Sequence, residues 1–178
     1  TTITRWSYAC AKALDEFLAL AYYREKKLPV IIMRFFNICG PRQTGRYGMV
    51  IPRFVKHALL DQPINVYGDG NQTRSFTHVK DAVNAIIKLA ADPKALGEIF
   101  NLGNTKAISI NELAARIKKL TSSKSPVIHI PYERAYEKGF EDMRHRRPDI
   151  SKLAKAIGFK PTYSIDDILK DVVNYFEG

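Results

Sequence analysis

The positions of the hydrophobic residues predict a chain that alternates between helices and strands. Apolar residues spaced three and four apart are typical of amphipathic helices. This spacing predicts helices at 7–25, 50–60, 79–91, 109–120, 149–158 and 164–176. Polar residues at three of the starts fit the cap position: Ser109 with Glu112 in a capping-box pattern, Asp149, and Ser164.

Short apolar runs between these helices predict strands. The run 30–36 is almost entirely apolar, which is typical of a strand buried on both faces of a parallel sheet. The runs 64–67 and 73–77 flank Gly68-Asp69-Gly70-Asn71, and this arrangement predicts a β-hairpin. The remaining strands are expected at 99–102 and 127–130, and the segment 132–147, which has no clean period, is expected to be mostly loop. Alternating strands and helices indicate the α/β class.

Composition is that of an ordinary globular protein, with 46% hydrophobic and 26% charged residues. No apolar run approaches the length needed to span a membrane, so no membrane association is predicted. The two cysteines, Cys10 and Cys39, are too few for a disulfide scaffold and fit a reducing cytoplasm, which is the predicted location. They form no metal-ligand pattern with the four histidines, and no metal site is predicted.

The net charge of +10 raises the question of an anionic partner. Nucleic acid is one candidate, but the basic residues are spread along the chain except at Arg144-His145-Arg146-Arg147. The spread argues against nucleic acid as the partner. The cluster instead favours a local diphosphate site near these arginines.

Tyr8 and Lys12 are the first candidates for catalysis. They are four residues apart in a predicted helix, so the phenol and the ammonium share one face. A neighbouring cation favours the phenolate; moving a tyrosine pKa from about 10 to about 7 takes roughly 4 kcal/mol. Such a phenol could take or return a hydroxyl proton at neutral pH. The same spacing also arises by chance, so the pair alone does not establish catalysis.

The residues around this pair strengthen the catalytic interpretation. Tyr8-x-x-x-Lys12, then a hydrophobic strand, then Arg34-Phe35-Phe36-Asn37-Ile38-Cys39-Gly40-Pro41-Arg42-Gln43, resembles the extended short-chain dehydrogenase/reductases. Within them the chain looks like the NAD-dependent nucleotide-sugar epimerase/dehydratase family. The resemblance extends from Arg5 to about Tyr175.

The resemblance implies the C-terminal part of a Rossmann-type parallel sheet plus a smaller α/β substrate-binding domain. Residues 1–48 would be the last strand–helix elements of the NAD-binding domain, and 49–178 the nucleotide-sugar region, with 77–105 as candidates to return to the Rossmann sheet. Members of this family carry a glycine-rich turn that cradles the cofactor pyrophosphate. No such motif is present in the sequence. We therefore expect a portion of a larger enzyme, inactive when isolated.

The resemblance also assigns roles to individual residues. Tyr8 would be the acid/base, and Lys12 would lower its pKa and hold the nicotinamide ribose. Phe35 and Phe36 would wall the nicotinamide pocket, although core packing explains them equally well. The cofactor implied is NAD.

A second set of residues would bind a nucleotide-diphosphate sugar, with a UDP-sugar as the first choice. These are Asn37, Val50, Phe54, Val66, Tyr67, Arg74 and Arg147. Each of these assignments has an open alternative. Asn37 could serve a turn, and Val50 and Phe54 could simply form a buried helix start. Arg74 could form a surface salt bridge, and Arg144 is the rival of Arg147. In the His78-Val79-Lys80-Asp81 run, the residue types predict structural roles: Asp81 as a helix cap and His78 as a satisfied hydrogen-bonding side chain.

The reaction stays open among three chemistries that share a 4-keto intermediate. The first interpretation is a sugar 4-epimerase; the alternatives are a 4,6-dehydratase and a UDP-glucuronate decarboxylase, which the 5–12 stretch especially resembles. An alternative of another class is a fragment that binds a nucleotide sugar without turnover. The family also implies a homodimer through the Tyr8–Lys12 helix, with the apolar stripe Leu14, Phe17, Leu18, Ala21 and Tyr22 in the contact.

Overall fold

The computed structural model describes residues 5–45, 49–135 and 143–178. The helices are α1 (Arg5–Lys26), α2 (Val50–Leu59), α3 (Val79–Ala90), α4 (Ile110–Leu120), α5 (Tyr132–Ala135), α6 (Ser151–Ile157) and α7 (Ile165–Glu177), with a 3-10 turn at Pro93–Ala95. The strands are β1 (Ile32–Phe35), β2 (Ile38–Cys39), β3 (Ile64–Tyr67), β4 (Thr73–Ser75), β5 (Thr77–His78), β6 (Ile99–Leu102), β7 (Ala107–Ser109), β8 (Val127–Ile130) and β9 (His145–Arg146).

Most strand pairs in the described part of the chain are parallel, which confirms the predicted α/β class. The strand β1 pairs with β6, β2 with β5, and β3 with β8, all in parallel. In a further sheet, β4 lies between β7, which is antiparallel, and β9, which is parallel.

The hairpin prediction for 64–67 and 73–77 is wrong. The strand β3 pairs with β8 and not with β4. Gly68 and Gly70 both have positive φ in the intervening turn, and Asn111 holds that turn through hydrogen bonds to Asp69 and Gly70 backbone atoms. The turn therefore carries the chain from one sheet to another instead of folding it back on itself.

The run 30–36 also differs from the prediction of one strand buried on both faces. The strand β1 covers only four residues, and both Arg34 and Phe35 are exposed. Asn37 ends it with a left-handed φ of 44°. In the predicted loop 132–147, the structure shows the short α5 and β9, while 136–142 lies outside the described residues.

Two hydrophobic clusters form the core of the described residues. The larger joins α2, α4 and α7 to β3, and its fully buried side chains include Ile51, Phe54, Leu113 and Ile168. The smaller packs α3 and α6 against β6. The predicted cap Ser164 is present at the start of α7, where Ser164 and Asp167 form a capping box by bonding each other's backbone N–H groups.

The predicted roles of His78 and Asp81 have different outcomes. His78 is fully buried and satisfied, as predicted: its Nδ1 accepts from Lys80 N–H at 3.0 Å, so Nε2 carries the proton and donates to Asp171 Oδ2 at 3.1 Å. The prediction that Asp81 caps α3 is wrong, because His78 is the cap. Asp81 instead accepts from the backbone N–H groups of Thr162 and Tyr163, at 3.0 and 3.3 Å.

Asp171 links α7 to α3 and makes the stability of the protein depend on pH. The Lys80 ammonium, which bonds Asp171 Oδ2 at 3.0 Å, and then His78 lower the pKa of the carboxyl below its usual value. Because the folded pKa is the lower one, the stabilisation is present above the unfolded pKa of about 4 and is lost as pH falls through the folded value.

We expect Asp171→Asn to reduce the acid-dependent part of the unfolding free energy below about pH 4, measured by urea titration across pH. Lys80→Ala should remove most of the same dependence, and the two changes together should not be additive. Lys88→Ala, on the same helix, is the control. An unchanged acid profile in Asp171→Asn would contradict the role of this carboxyl.

Candidate functional site

Tyr8 and Lys12 lie together on an accessible face of α1. The Tyr8 side chain is 71% exposed, and Lys12 Nζ lies 5.9 Å from its ring centroid. Lys12 also bonds Asp15 Oδ2 at 2.9 Å, one turn further along. Asp15, and to a smaller extent Tyr8, raise the pKa of Lys12. The ammonium therefore stays charged beside the phenol, although Asp15 shares it.

The helix α1 is held against β1 by an ion pair and against the turn before β6 by a close contact. The Arg34 guanidinium donates to both carboxylate oxygens of Glu16, at 2.6 and 2.5 Å, and lowers the pKa of that carboxyl. The Tyr23 ring lies so close to Gly97 that a Cβ there would be 2.3 Å from Cε1. These contacts fix the Tyr8 helix relative to the strand.

The residues at the end of β1 and just after it pack in different ways. Phe35 is 48% exposed, whereas Phe36 is half-buried and lies against Gly103, where a Cβ would be 2.8 Å from Phe36 Cβ and 2.6 Å from Pro148. The Asn37 side-chain amide donates to Ser75 O at 2.7 Å, and the Asn37 backbone carbonyl accepts from Thr77 N–H at 3.0 Å. The amide nitrogen of Asn37 thus ties the end of β1 to β4.

Two arginines lie opposite each other on neighbouring strands near this point. Arg74 of β4 pairs in register with Arg146 of β9, whose guanidinium lies 5.2 Å from the Phe36 ring centroid. Arg74 donates to the carbonyls of Thr73 and Met143, each at 2.8 Å. Arg147, the residue selected from the sequence, follows the strand and is exposed.

The rival residue Arg144 forms an ion pair with Asp69 at 2.6 Å. It lines a cavity of about 350 Å³ together with Gly68, Gln72 and Tyr132. Gln72 is 7% exposed; its Nε2 donates to Tyr67 O, and within the described residues its buried Oε1 has no hydrogen-bond partner. A buried acceptor left unsatisfied costs about 1–3 kcal/mol, so the Gln72 side chain is held in this position at a cost in free energy.

Tyr67 is in contact with Arg53, whose guanidinium lies 4.9 Å from the ring centroid and whose Nη1 is 3.4 Å from the phenolic oxygen. By contrast, Phe54 is 1% exposed and Val66 is fully buried. Core packing accounts for both side chains, and neither is accessible to a ligand. Val50 is half-buried at the start of α2.

The sequence reasoning missed Arg146 and Gln72. Arg146 was visible only as one of several clustered basic residues, and its register with Arg74 is a long-range feature. Gln72 stands two positions before Arg74 in the sequence, but no spacing rule indicates that one end of its amide is buried without a partner.

The residues present fit one end of a dinucleotide cofactor. Tyr8, Lys12 and Phe35 offer an accessible phenol, ammonium and aromatic face. Within 5–45, 49–135 and 143–178, no glycine-rich turn of the G-x-G-x-x-G kind joins a strand to a helix. In the same ranges no group of three or more His, Cys, Asp or Glu side chains could hold a metal ion, and no helix combines the length and apolarity needed to cross a bilayer.

Comparison with known proteins places these features in a family. A family model described as GDP-mannose 4,6 dehydratase matches residues 2–172. The chain belongs to the NAD-dependent nucleotide-sugar epimerase/dehydratase family.

Members of this family that resemble the chain act in several ways on nucleotide sugars. The chain is 47% identical to UDP-N-acetyl-alpha-D-glucosaminuronate decarboxylase of Bacillus cytotoxicus, over 99% of this chain and 54% of the relative. The UDP-glucose 4-epimerase of Thermotoga maritima, solved with UDP-glucose, is 30% identical with a TM-score of 0.85 over 96% of this chain and 53% of its own. The UDP-glucuronic acid 4-epimerase of Bacillus cereus, solved with UDP-glucuronic acid and NAD, is 27% identical with a TM-score of 0.80 over 91% and 49%.

The chain spans about half the length of the curated relatives it matches. The family membership predicted from the motifs is confirmed. The predicted α/β class is also confirmed, because the fold matches family structures over about half of their length.

Gly68 shapes the cavity beside Gln72. Its φ is +71°, and a Cβ there would lie 2.6 Å from the Tyr132 ring. We expect Gly68→Ala to destabilise the protein by about 2 kcal/mol, because backbone strain adds to overpacking. Urea unfolding measures the change.

Two further variants separate these contributions. Tyr132→Ala in the Gly68→Ala background should recover the steric part and leave the strain. Gly45→Ala, where the nearest atom is 3.7 Å away, should have little effect. Equal stability of Gly68→Ala and the unchanged protein would show that the turn adapts.

Proposed function

We propose that this chain supplies the acid/base pair and the substrate-binding part of an NAD-dependent enzyme that oxidises the 4-hydroxyl of a UDP-sugar. The observation that carries the proposal is the register between Arg74 and Arg146, two arginines on adjacent strands. Asn37 lies nearby, since its side-chain amide bonds the carbonyl of Ser75, the residue after Arg74. A diphosphate is the part of a nucleotide sugar that such a pair of arginines recognises.

The diphosphate would lie between Arg74 and Arg146. Arginine suits this task because its planar fork donates two hydrogen bonds to phosphate oxygens. Arg146 is a better candidate than Arg147, because it pairs with Arg74 and is half-buried against Phe36. Asn37 would add a polar contact, although its amide nitrogen already serves Ser75.

The nucleoside would lie along the end of β3. Tyr67 offers an aromatic ring there, and the nearby cavity is lined by Gln72, Tyr132 and Arg144. Uracil and ribose carry hydrogen-bonding groups that polar side chains of this kind can bind. Val50 stays a candidate for the edge of this site; Phe54 and Val66 would support it from the core.

Tyr8 would take the proton of the sugar 4-hydroxyl on its phenolate oxygen. Lys12, charged and 5.9 Å from the ring centroid, would stabilise that phenolate and hold a ribose hydroxyl. NAD, when bound, supplies the acceptor for the hydride that leaves C4. Phe35 and Phe36 would exclude water from that side.

We favour decarboxylation of a UDP-uronic acid as the reaction that follows. With C4 oxidised, the C6 carboxylate is β to a ketone, so CO2 leaves and the electron pair is held as an enolate until Tyr8 returns a proton to carbon. The 47% identity to a decarboxylase over 99% of the chain supports this choice. The second candidate, sugar 4-epimerisation, is supported by the fold shared with the two epimerases.

The domain arrangement predicted from the sequence is part of the proposal. Residues 1–48 would complete a Rossmann sheet whose other strands come from outside this sequence, and 49–178 would form the substrate region. The parallel pairing of β6 with β1 supports the return of 77–105 to that sheet. The exposed stripe Leu14, Phe17, Leu18 and Tyr22 on α1 would pack against a second copy of the chain.

Calorimetric titration of the chain with UDP tests the diphosphate site. We expect Arg146→Ala to weaken binding about tenfold or more, since charge-assisted hydrogen bonds contribute about 1.5–3 kcal/mol each. Arg147→Ala is the matched control and should change the affinity much less. The reverse order would return the role to Arg147, and no UDP binding by the unchanged chain would overturn the site.

The reaction is tested in a chimera that joins the N-terminal half of the Bacillus cytotoxicus relative to this chain. With NAD and UDP-N-acetylglucosaminuronic acid, we expect release of CO2, and Tyr8→Phe should lower kcat about 10²–10⁴-fold. A 4-epimer formed without CO2 would instead support the epimerase. The chain alone should not bind NAD. Strong binding of NAD would contradict the proposal that this chain supplies only the acid/base pair and the substrate-binding part of the enzyme.

A further inference from the structure

A second groove, separate from the cavity beside Gln72, lies between α2, residues 42–45 and the C-terminal end of α7. Its volume is about 500 Å³, within the range of small-molecule sites. It shares no lining residue with the Gln72 cavity. The cationic side chains Arg42, Arg53 and Lys56 line it, together with the aromatic side chains Tyr175 and Phe176.

The groove carries uncompensated positive charge. No carboxylate is among its lining residues, and within the described part of the chain none forms an ion pair with Arg42, Arg53 or Lys56. Elsewhere several cations are paired, as Lys12 is with Asp15. Three cations around one concavity raise the local concentration of an anion with several charges.

The loop that presents Arg42 is fixed in an unfavourable conformation. Arg42 has a φ of 66°, in the left-handed region that few residues other than glycine adopt. Gln43 holds it there: its Nε2 donates to Ile38 O at 2.8 Å and its backbone N–H to Gly40 O at 3.4 Å. Such strain persists only where the surroundings impose it, and it concentrates at ligand-binding positions.

The opposite wall of the groove is aromatic. Tyr175 and Phe176 are 47% and 37% exposed, and their ring centroids lie 5.6 Å apart in an edge-to-face arrangement. Accessible aromatic rings are stacking surfaces for a nucleobase, and cations bind phosphates. A nucleotide is a ligand that carries both groups.

We propose that the groove binds a nucleoside triphosphate, with its phosphates among Arg42, Arg53 and Lys56 and its base against Tyr175 and Phe176. This site is separate from the UDP-sugar site and does not depend on it. Arg53 is the wall between them, since its guanidinium also contacts Tyr67.

Calorimetry of the purified chain with ATP tests the proposal, with inorganic tripolyphosphate as the probe without a base. We expect one ATP per chain and an affinity that falls with added salt. Lys56→Glu should weaken ATP binding about tenfold. Lys88→Glu changes the net charge equally on another exposed helix position and should change it less than about twofold.

Two further variants distinguish a built site from general attraction to a basic protein. Phe176→Ala should weaken ATP several-fold and leave tripolyphosphate unchanged. Arg74→Ala, in the proposed UDP-sugar site, should leave ATP binding intact. The proposal is overturned if ATP does not bind, if both lysine variants act equally, if tripolyphosphate binds as tightly as ATP, or if Arg74→Ala abolishes binding.

Discussion

The hydrogen bonds around Asn37 are the constraint on which the arrangement of the candidate site depends. The left-handed φ of Asn37 ends β1. Its side-chain amide donates to Ser75 O, and its backbone carbonyl accepts from Thr77 N–H. Thr77 Oγ1 donates to Phe36 O at 3.1 Å and accepts from Asn104 N–H at 2.9 Å. Asparagine tolerates this φ better than most residues, and each bond contributes about 1 kcal/mol. Together they join the β1–β6 pair to the strand that carries Arg74.

The electrostatics of the described chain follow a consistent division. Where a cation supports the fold, a carboxylate is paired with it, as Glu16 is with Arg34 and Asp171 with Lys80. Exposed pairs of this kind contribute little to stability but orient long side chains. The Arg74–Arg146 register instead places two cationic residues on adjacent strands, and the carbonyls of Thr73 and Met143 share the charge of Arg74.

Sequence patterns predicted the long helices and the caps Ser109 and Ser164 because these depend on nearby residues. The predicted caps Asp81 and Asp149 are wrong, since the N-caps of α3 and α6 are His78 and Ile150. Apolar spacing and Ser164 were sufficient to place α7, and the start of α4 at Ser109 followed in the same way. Strand partners were not predictable by these rules, since Ile64 pairs with Val127, far along the chain. The local glycines of the 68–70 turn therefore suggested a hairpin that the sheets do not contain.

The same distinction holds for the candidate site. Tyr8 and Lys12 were found because one helical turn brings them together. Arg146 was overlooked, since only the parallel pairing of β9 with β4 shows which member of the arginine cluster faces Arg74. The spacing of Phe54 and Val66 could not show whether they touch a ligand or the core; their burial shows that they lie in the core.

The tight contact at Gly103 has a consequence for how sequences in this family can diverge. Phe36 and Pro148 both occupy the space that a Cβ would need, so the smallest substitution there would push apart the strand end and the segment that follows Arg146. A methyl group that touches no ligand could thus abolish recognition of one. Substitution of Gly103 is therefore restricted by the packing of two distant segments. In a genetic screen, loss of function at this position would resemble a mutation in the proposed binding site.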